Sequence, residues 1–180
     1  MKDFLIVYSS KTGNTEKVAR ALWEAVGDNC DLLPVEEAEA LTGYQVIFAG
    51  YWVDRGEPDA KIQRFLSERK GEKIVLFQTL GAEPDSEHAM TTFANAGKYL
   101  SPDNKVLGIF SVRGAIDPKL IERMRALPKD DPHRANPASE KRWAEAATHP
   151  DEADLAAAKK YMEKFLAFWQ RWGKRMNAAK

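Results

Sequence analysis

Apolar residues in the first 112 positions come in short blocks that alternate between two periods. Phe4 to Tyr8 is an unbroken apolar run, the pattern of a parallel strand buried on both faces, and it stops at Ser9. From Gly13 the spacing becomes helical: Val18, Ala21, Leu22, Ala25 and Val26 share one face, and Gly27 closes the segment as a C-terminal cap. The alternation repeats. Asp31–Val35 reads as a short strand, Val46–Gly50 as a strong one, Asp59–Leu66 as a helix with Ile62, Phe65 and Leu66 inward, and Lys73–Thr79 as a strand. Ser86–Tyr99 reads as a helix and Lys105–Val112 as a fifth strand. Strands joined by helical crossovers predict an α/β fold, with a parallel sheet covered on both faces.

Past the fifth strand the pattern loosens. Asp117 and Pro118 read as the cap and first position of a short helix through Leu127. Pro128, Pro132 and Pro137 punctuate a polar stretch, and Ser139–Ala147 reads as a second short helix. The longest periodic segment starts at Pro150 and carries the stripe Leu155, Ala158, Met162, Phe165, Trp169 and Trp172, suited to covering the sheet. The basic tail Gly173–Lys180 is expected to fray.

The chain has 180 residues, 44% hydrophobic and 30% charged, which predicts one domain over 1–180 and excludes disordered and low-complexity classes. Its 27 basic and 27 acidic residues cancel, so no global field draws it to nucleic acid or an anionic membrane. No run approaches the roughly 18 apolar residues of a membrane span. The lone Cys30 forms no internal disulfide and reads as a buried strand thiol. A cytoplasmic location is the expectation.

The chemistry lies between the first strand and the first helix. Ser9-Ser10-Lys11-Thr12-Gly13-Asn14-Thr15 is rich in hydroxyls, has a cation, and places glycine where a helix begins. Unpaired amides and the positive end of a helix dipole make such a turn a phosphate site. The nucleotide-hydrolase phosphate loop and the dinucleotide fingerprint are both absent, which argues against nucleoside triphosphates and NAD.

Ser10-Lys11-Thr12-Gly13-Asn14-Thr15 resembles the flavodoxin family's phosphate loop, Ser/Thr-x-Thr-Gly-x-Thr directly after the first strand, and fits every position. The resemblance implies a three-layer sandwich around a five-stranded parallel sheet of order 2-1-3-4-5, with FMN beyond the carboxyl ends of the strands. It implies that Ser9 to Thr15 hold the phosphate. It also implies that the loop after the third strand, with Tyr51, Trp52, Val53 and Asp54, lies beside the ring, Trp52 being the first choice for stacking and Tyr51 the second. Thr79, Leu80 and Gly81 after the fourth strand are expected to meet the pyrimidine edge. That loop carries no aromatic, a departure from the family that puts a two-sided sandwich in doubt.

The resemblance covers about residues 1–112 and the last helix, leaving Arg113–His149 as an insert. Its Arg113, His133, Arg134, Arg142, Trp143 and His149 suit an acidic or planar partner; the histidines are weak metal candidates. No metal is expected. A signalling receiver domain needs acidic residues after the first strand, where Tyr8-Ser9-Ser10 stands instead. The expected function is an FMN-bearing electron carrier that docks transiently with a reductase or oxidoreductase partner. The alternative is an FMN-dependent reductase acting on a quinone, tetrapyrrole or similar planar substrate. Arg55 and Arg113 are expected near the ring, where a cation would favour the reduced flavin.

Overall fold

The computed structural model describes residues 2–38 and 42–178. Its strands are β1 (Phe4–Tyr8), β2 (Cys30–Pro34), β3 (Val46–Asp54), β4 (Glu57–Pro58), β5 (Lys73–Leu80) and β6 (Lys105–Arg113). Its helices are α1 (Asn14–Val26), α2 (Ala60–Ser67), α3 (Glu87–Gly97), α4 (Pro118–Ala126), α5 (Pro137–Ala146) and α6 (Glu152–Ala178). The order across the sheet is β2-β1-β3-β5-β6, all parallel, with the two-residue β4 folded back antiparallel onto β3. With β4 set aside this is the expected 2-1-3-4-5 order.

Alternation along each strand sends side chains to two separate cores. On one face Phe4, Ile6, Phe48, Val75 and Phe77 pack against Val18 and Leu22 of α1 and Met162 and Phe165 of α6. On the other, Leu5, Val7, Ile47, Tyr51 and Leu76 pack against Ile62 and Phe65 of α2 and Phe93 of α3. Each large side chain removed from water contributes about 1.5–3 kcal/mol, so both layers are held mainly by apolar burial. Gly50 sits flat against the Phe77 ring; a Cβ there would come within 2.0 Å of it. Cys30 is fully buried, and desolvation pushes its thiol up to about 12, which makes it inert as a nucleophile.

Two local differences from the sequence reading and one agreement with it bear on the site. β3 does not stop at Gly50; it runs on to Asp54 and turns back through Arg55 and Gly56, both with positive φ (53° and 83°), the two-residue hairpin geometry. The insert holds the two short helices the sequence predicts: α4 is capped by Asp117, as expected, and α5 starts at Pro137 under a reciprocal box between Asn136 and Ser139. The tail does not fray at Gly173, since α6 continues through Ala178.

Candidate functional site

The carboxyl edge of the sheet gathers the β1–α1 loop, the β3–β4 hairpin, the β5–α3 loop and the head of the insert. α1 starts at Gly13, whose left-handed φ of 88° only glycine adopts at little cost. No side chain caps α1. By contrast Asp59, Ser86, Asp117 and Asn136 cap α2, α3, α4 and α5. The first-turn amides of α1 are thus left for a ligand, and beside them Ser10 Oγ is buried with no hydrogen-bond partner. Thr12 is exposed at the same turn, with Lys11 next to it. Open helix amides with one orphaned and one free hydroxyl and a lysine fit a terminal phosphate.

Other polar groups of this loop are spent within the protein. Ser9 Oγ donates to Asp59 at 2.8 Å. Asn14 Nδ2 donates to the Ala115 carbonyl at 2.9 Å, and the Thr15 hydroxyl lies 2.9 Å from that of Thr79, both fully sheltered beneath the loop. Asp59, nearly buried, accepts from Ser9 and the Lys61 amide while its Oδ2 has no partner; burial pushes its carboxyl above the usual carboxylate range. The sequence marks Asp59 only as a helix start; its bond to Ser9 spans fifty positions and has no local signal.

The two aromatics of β3 part company. Tyr51 is fully buried, packs edge-on to Phe93 at 6.5 Å and has an unpaired hydroxyl; its ring belongs to the α2/α3 core and offers no face to a ligand. This corrects the expectation of Tyr51 as a stacking residue. Trp52, one position on, faces the opposite side of the sheet and is partly exposed, with Lys11 Nζ 5.2 Å from its ring centroid. Val53 and Asp54 pair with Pro58 and Glu57 across the hairpin, and Asn95 Nδ2 pins the turn by donating to the Gly56 carbonyl at 2.8 Å.

At the end of β5, Leu80 is buried and its carbonyl accepts from the Gly114 amide at 2.8 Å. Gly81 lies so close beneath Ile116 that a Cβ would come within 2.6 Å of it. Arg113 is nearly buried; it donates to Glu83 at 2.6 Å and to the Arg142 carbonyl at 3.3 Å, and pairs with Glu145 at 3.5 Å. It is a clamp between this loop and α5, neutralised by two carboxylates, which corrects the expectation of a free cation for the flavin. Arg55 is exposed at the hairpin tip.

Between the phosphate loop and the insert lies a cleft of about 380 Å³, floored by Thr12, Asn14 and Lys17 and walled by Ile116, Ile121 and Trp143. Of the remaining insert residues, His149 does acquire acidic neighbours in space. His149, Asp151 and Asp154 offer ligand atoms within 4.8 Å of one another, but Asp151 and Asp154 are occupied as reciprocal caps of α6, and Asp154 also takes His149 Nδ1 at 2.5 Å. Among the described residues no helix is long and apolar enough to cross a membrane.

Comparison with known proteins agrees with this geometry. The flavodoxin-like domain-containing protein BilS of Clostridioides difficile is 28% identical over 167 residues, covering 90% of this chain and 95% of that protein. BilS of Clostridium symbiosum is 29% identical over 178 residues, with 88% and 93% covered. Among solved structures, a short-chain flavodoxin associated with a bacterial microcompartment shares the fold, with a TM-score of 0.52 at 12% identity over 93% of this chain and 99% of that one. The flavodoxin domain family matches residues 5–163, and the chain therefore belongs to that family, whose cofactor is FMN.

Proposed function

We propose that this chain is a redox flavoprotein that holds FMN by its phosphate at Ser9–Thr15 and passes electrons to or from an oxidoreductase partner. The observation that carries the reading is the uncapped start of α1 beside the orphaned Ser10 hydroxyl, a site built for an anion that the protein itself does not supply. FMN, when bound, supplies one- and two-electron chemistry. The protein's share is to bind and orient it. The α1 amides, Ser10, Thr12 and Lys11 take the phosphate, Trp52 offers a face to the ring, and Gly81, which follows Thr79 and Leu80 at the end of β5, presents backbone groups to it.

A second reading, a reductase with its own planar substrate, is favoured by one observation. The 380 Å³ cleft walled by Trp143 adjoins the phosphate loop and is of ligand size. Anaerobic mixing of the FMN-loaded chain with NADH or NADPH separates the two readings. Slow or absent bleaching of the flavin spectrum is expected for a carrier, whereas rapid catalytic bleaching with turnover of an added quinone establishes the reductase.

A further inference from the structure

The head of the insert is fastened to the loops on which the FMN reading rests. Asn14 holds the Ala115 carbonyl, the Gly114 amide holds Leu80, Ile116 roofs Gly81, and Arg113 clamps Glu83. The segment ends at Asp117, which caps α4 by accepting from the Lys119 amide at 2.9 Å and, through Oδ2, pairs with Lys11 Nζ at 3.0 Å. That same Nζ lies 5.2 Å from the Trp52 ring centroid. Lys11 thus fills a slot with an aromatic face on one side and a carboxylate on the other.

We propose that this slot receives the flavin ring, that the insert rather than the β5–α3 loop supplies the wall opposite Trp52, and that the Asp117 carboxylate is the charge that sets the potential of the bound FMN. A ring stacked on Trp52 needs a centroid separation of about 4.5–7 Å, the interval Lys11 Nζ now occupies. Lys11 belongs to the phosphate loop. An exposed cation–π contact and an ion pair to a single carboxylate are weak beside a charge-assisted bond to a phosphate dianion, so phosphate binding draws Lys11 away from Trp52 and Asp117. Asp117 is then left facing the slot without its counter-charge. The residues of the β5–α3 loop, Gly81 to Ser86, include no aromatic, and Glu83 there is already neutralised by Arg113. Asp85, the other carboxylate of that loop, is exposed, whereas Asp117 loses its ion-pair partner at the slot itself and opposes the negative charge the ring gains on full reduction. It is a positioning and tuning residue; no electron passes through it.

The test is an anaerobic spectroelectrochemical titration of the FMN-loaded full chain, with Asp117→Asn compared to wild type. Asparagine caps a helix as well as aspartate, so α4 is kept. The second electron is expected to enter Asp117→Asn at a less negative potential, equivalent to a roughly tenfold gain in affinity for fully reduced over one-electron-reduced flavin. Lys11→Gln is expected to weaken FMN binding while riboflavin binds as well or better, because the face of Trp52 is freed. An unchanged or more negative potential in Asp117→Asn overturns the proposal, as does an equal shift in Asp28→Asn at the far end of α1. In either case FMN is still bound, so the FMN reading survives. If the wild type binds no FMN, that reading falls first and this inference with it.

Discussion

Replacing Ser10 with alanine separates a ligand-binding role from a structural one by the sign of two effects. In the ligand-free protein Ser10 Oγ is buried without a partner. A desolvated, unpaired hydroxyl costs about 1–3 kcal/mol, so its removal should leave stability unchanged or raise it. With a phosphate in the loop the same hydroxyl donates to an anion, a bond worth about 1.5–3 kcal/mol. Ser10→Ala should therefore raise the Kd for FMN by roughly 10- to 100-fold. Riboflavin, which lacks the phosphate, should bind both proteins alike. Titration by flavin fluorescence, together with thermal unfolding of the ligand-free chain, reads both effects. A lower Tm in the variant, or equal losses for the two flavins, would show that Ser10 serves the fold and that the loop does not hold the phosphate.

Other expectations follow from the same geometry. Trp52→Ala should relieve quenching of flavin fluorescence and weaken FMN by about 1–2 kcal/mol, whereas Tyr51→Phe, which deletes only a buried unpaired hydroxyl, should leave both untouched; the reverse ranking in a fluorescence titration refutes the assignment. Arg113→Gln should loosen the insert, lower stability by about 1–3 kcal/mol in a denaturant titration, and move the flavin potential to a more negative value, because Glu83 and Glu145 lose their counter-charge. For Asp59 the folded carboxyl sits above its unfolded value of 3.8, so the native state holds its proton longer. The stability it contributes is present below that value and lost as pH rises through the raised one. Asp59→Asn should consequently fare better, relative to wild type, at pH 7 than at pH 4; a difference that runs the other way contradicts the burial argument.

Much of the fold was legible because the strands are short, unbroken and separated by helical periods, and because Thr12-Gly13-Asn14-Thr15 follows β1 directly. What misled at β3 was the glycine. Gly50 read as a strand end, yet it is there because Phe77 lies against it, and the strand continues. Carrying the period of two through Gly50 sets Phe48, Gly50 and Trp52 on one face and Ile47, Ala49, Tyr51 and Val53 on the other, which would have sent Tyr51 into the core. The Arg55-Gly56 turn was the accompanying hairpin signal. Arg113 with Glu83, Lys11 with Asp117 and Ile116 over Gly81 are tertiary pairings across 30 to more than 100 positions. No local pattern encodes them, so the insert's part in the site emerged only from the fold.

The central claim, a phosphate-anchored FMN site, is tested most directly by calorimetric titration of the ligand-free chain with FMN and, separately, with riboflavin. A single FMN per chain should bind with a Kd below about 1 μM, and riboflavin should bind at least about 100-fold more weakly, since several charge-assisted bonds to the phosphate are lost. No FMN binding at about 100 μM, or riboflavin binding as tightly as FMN, would contradict it.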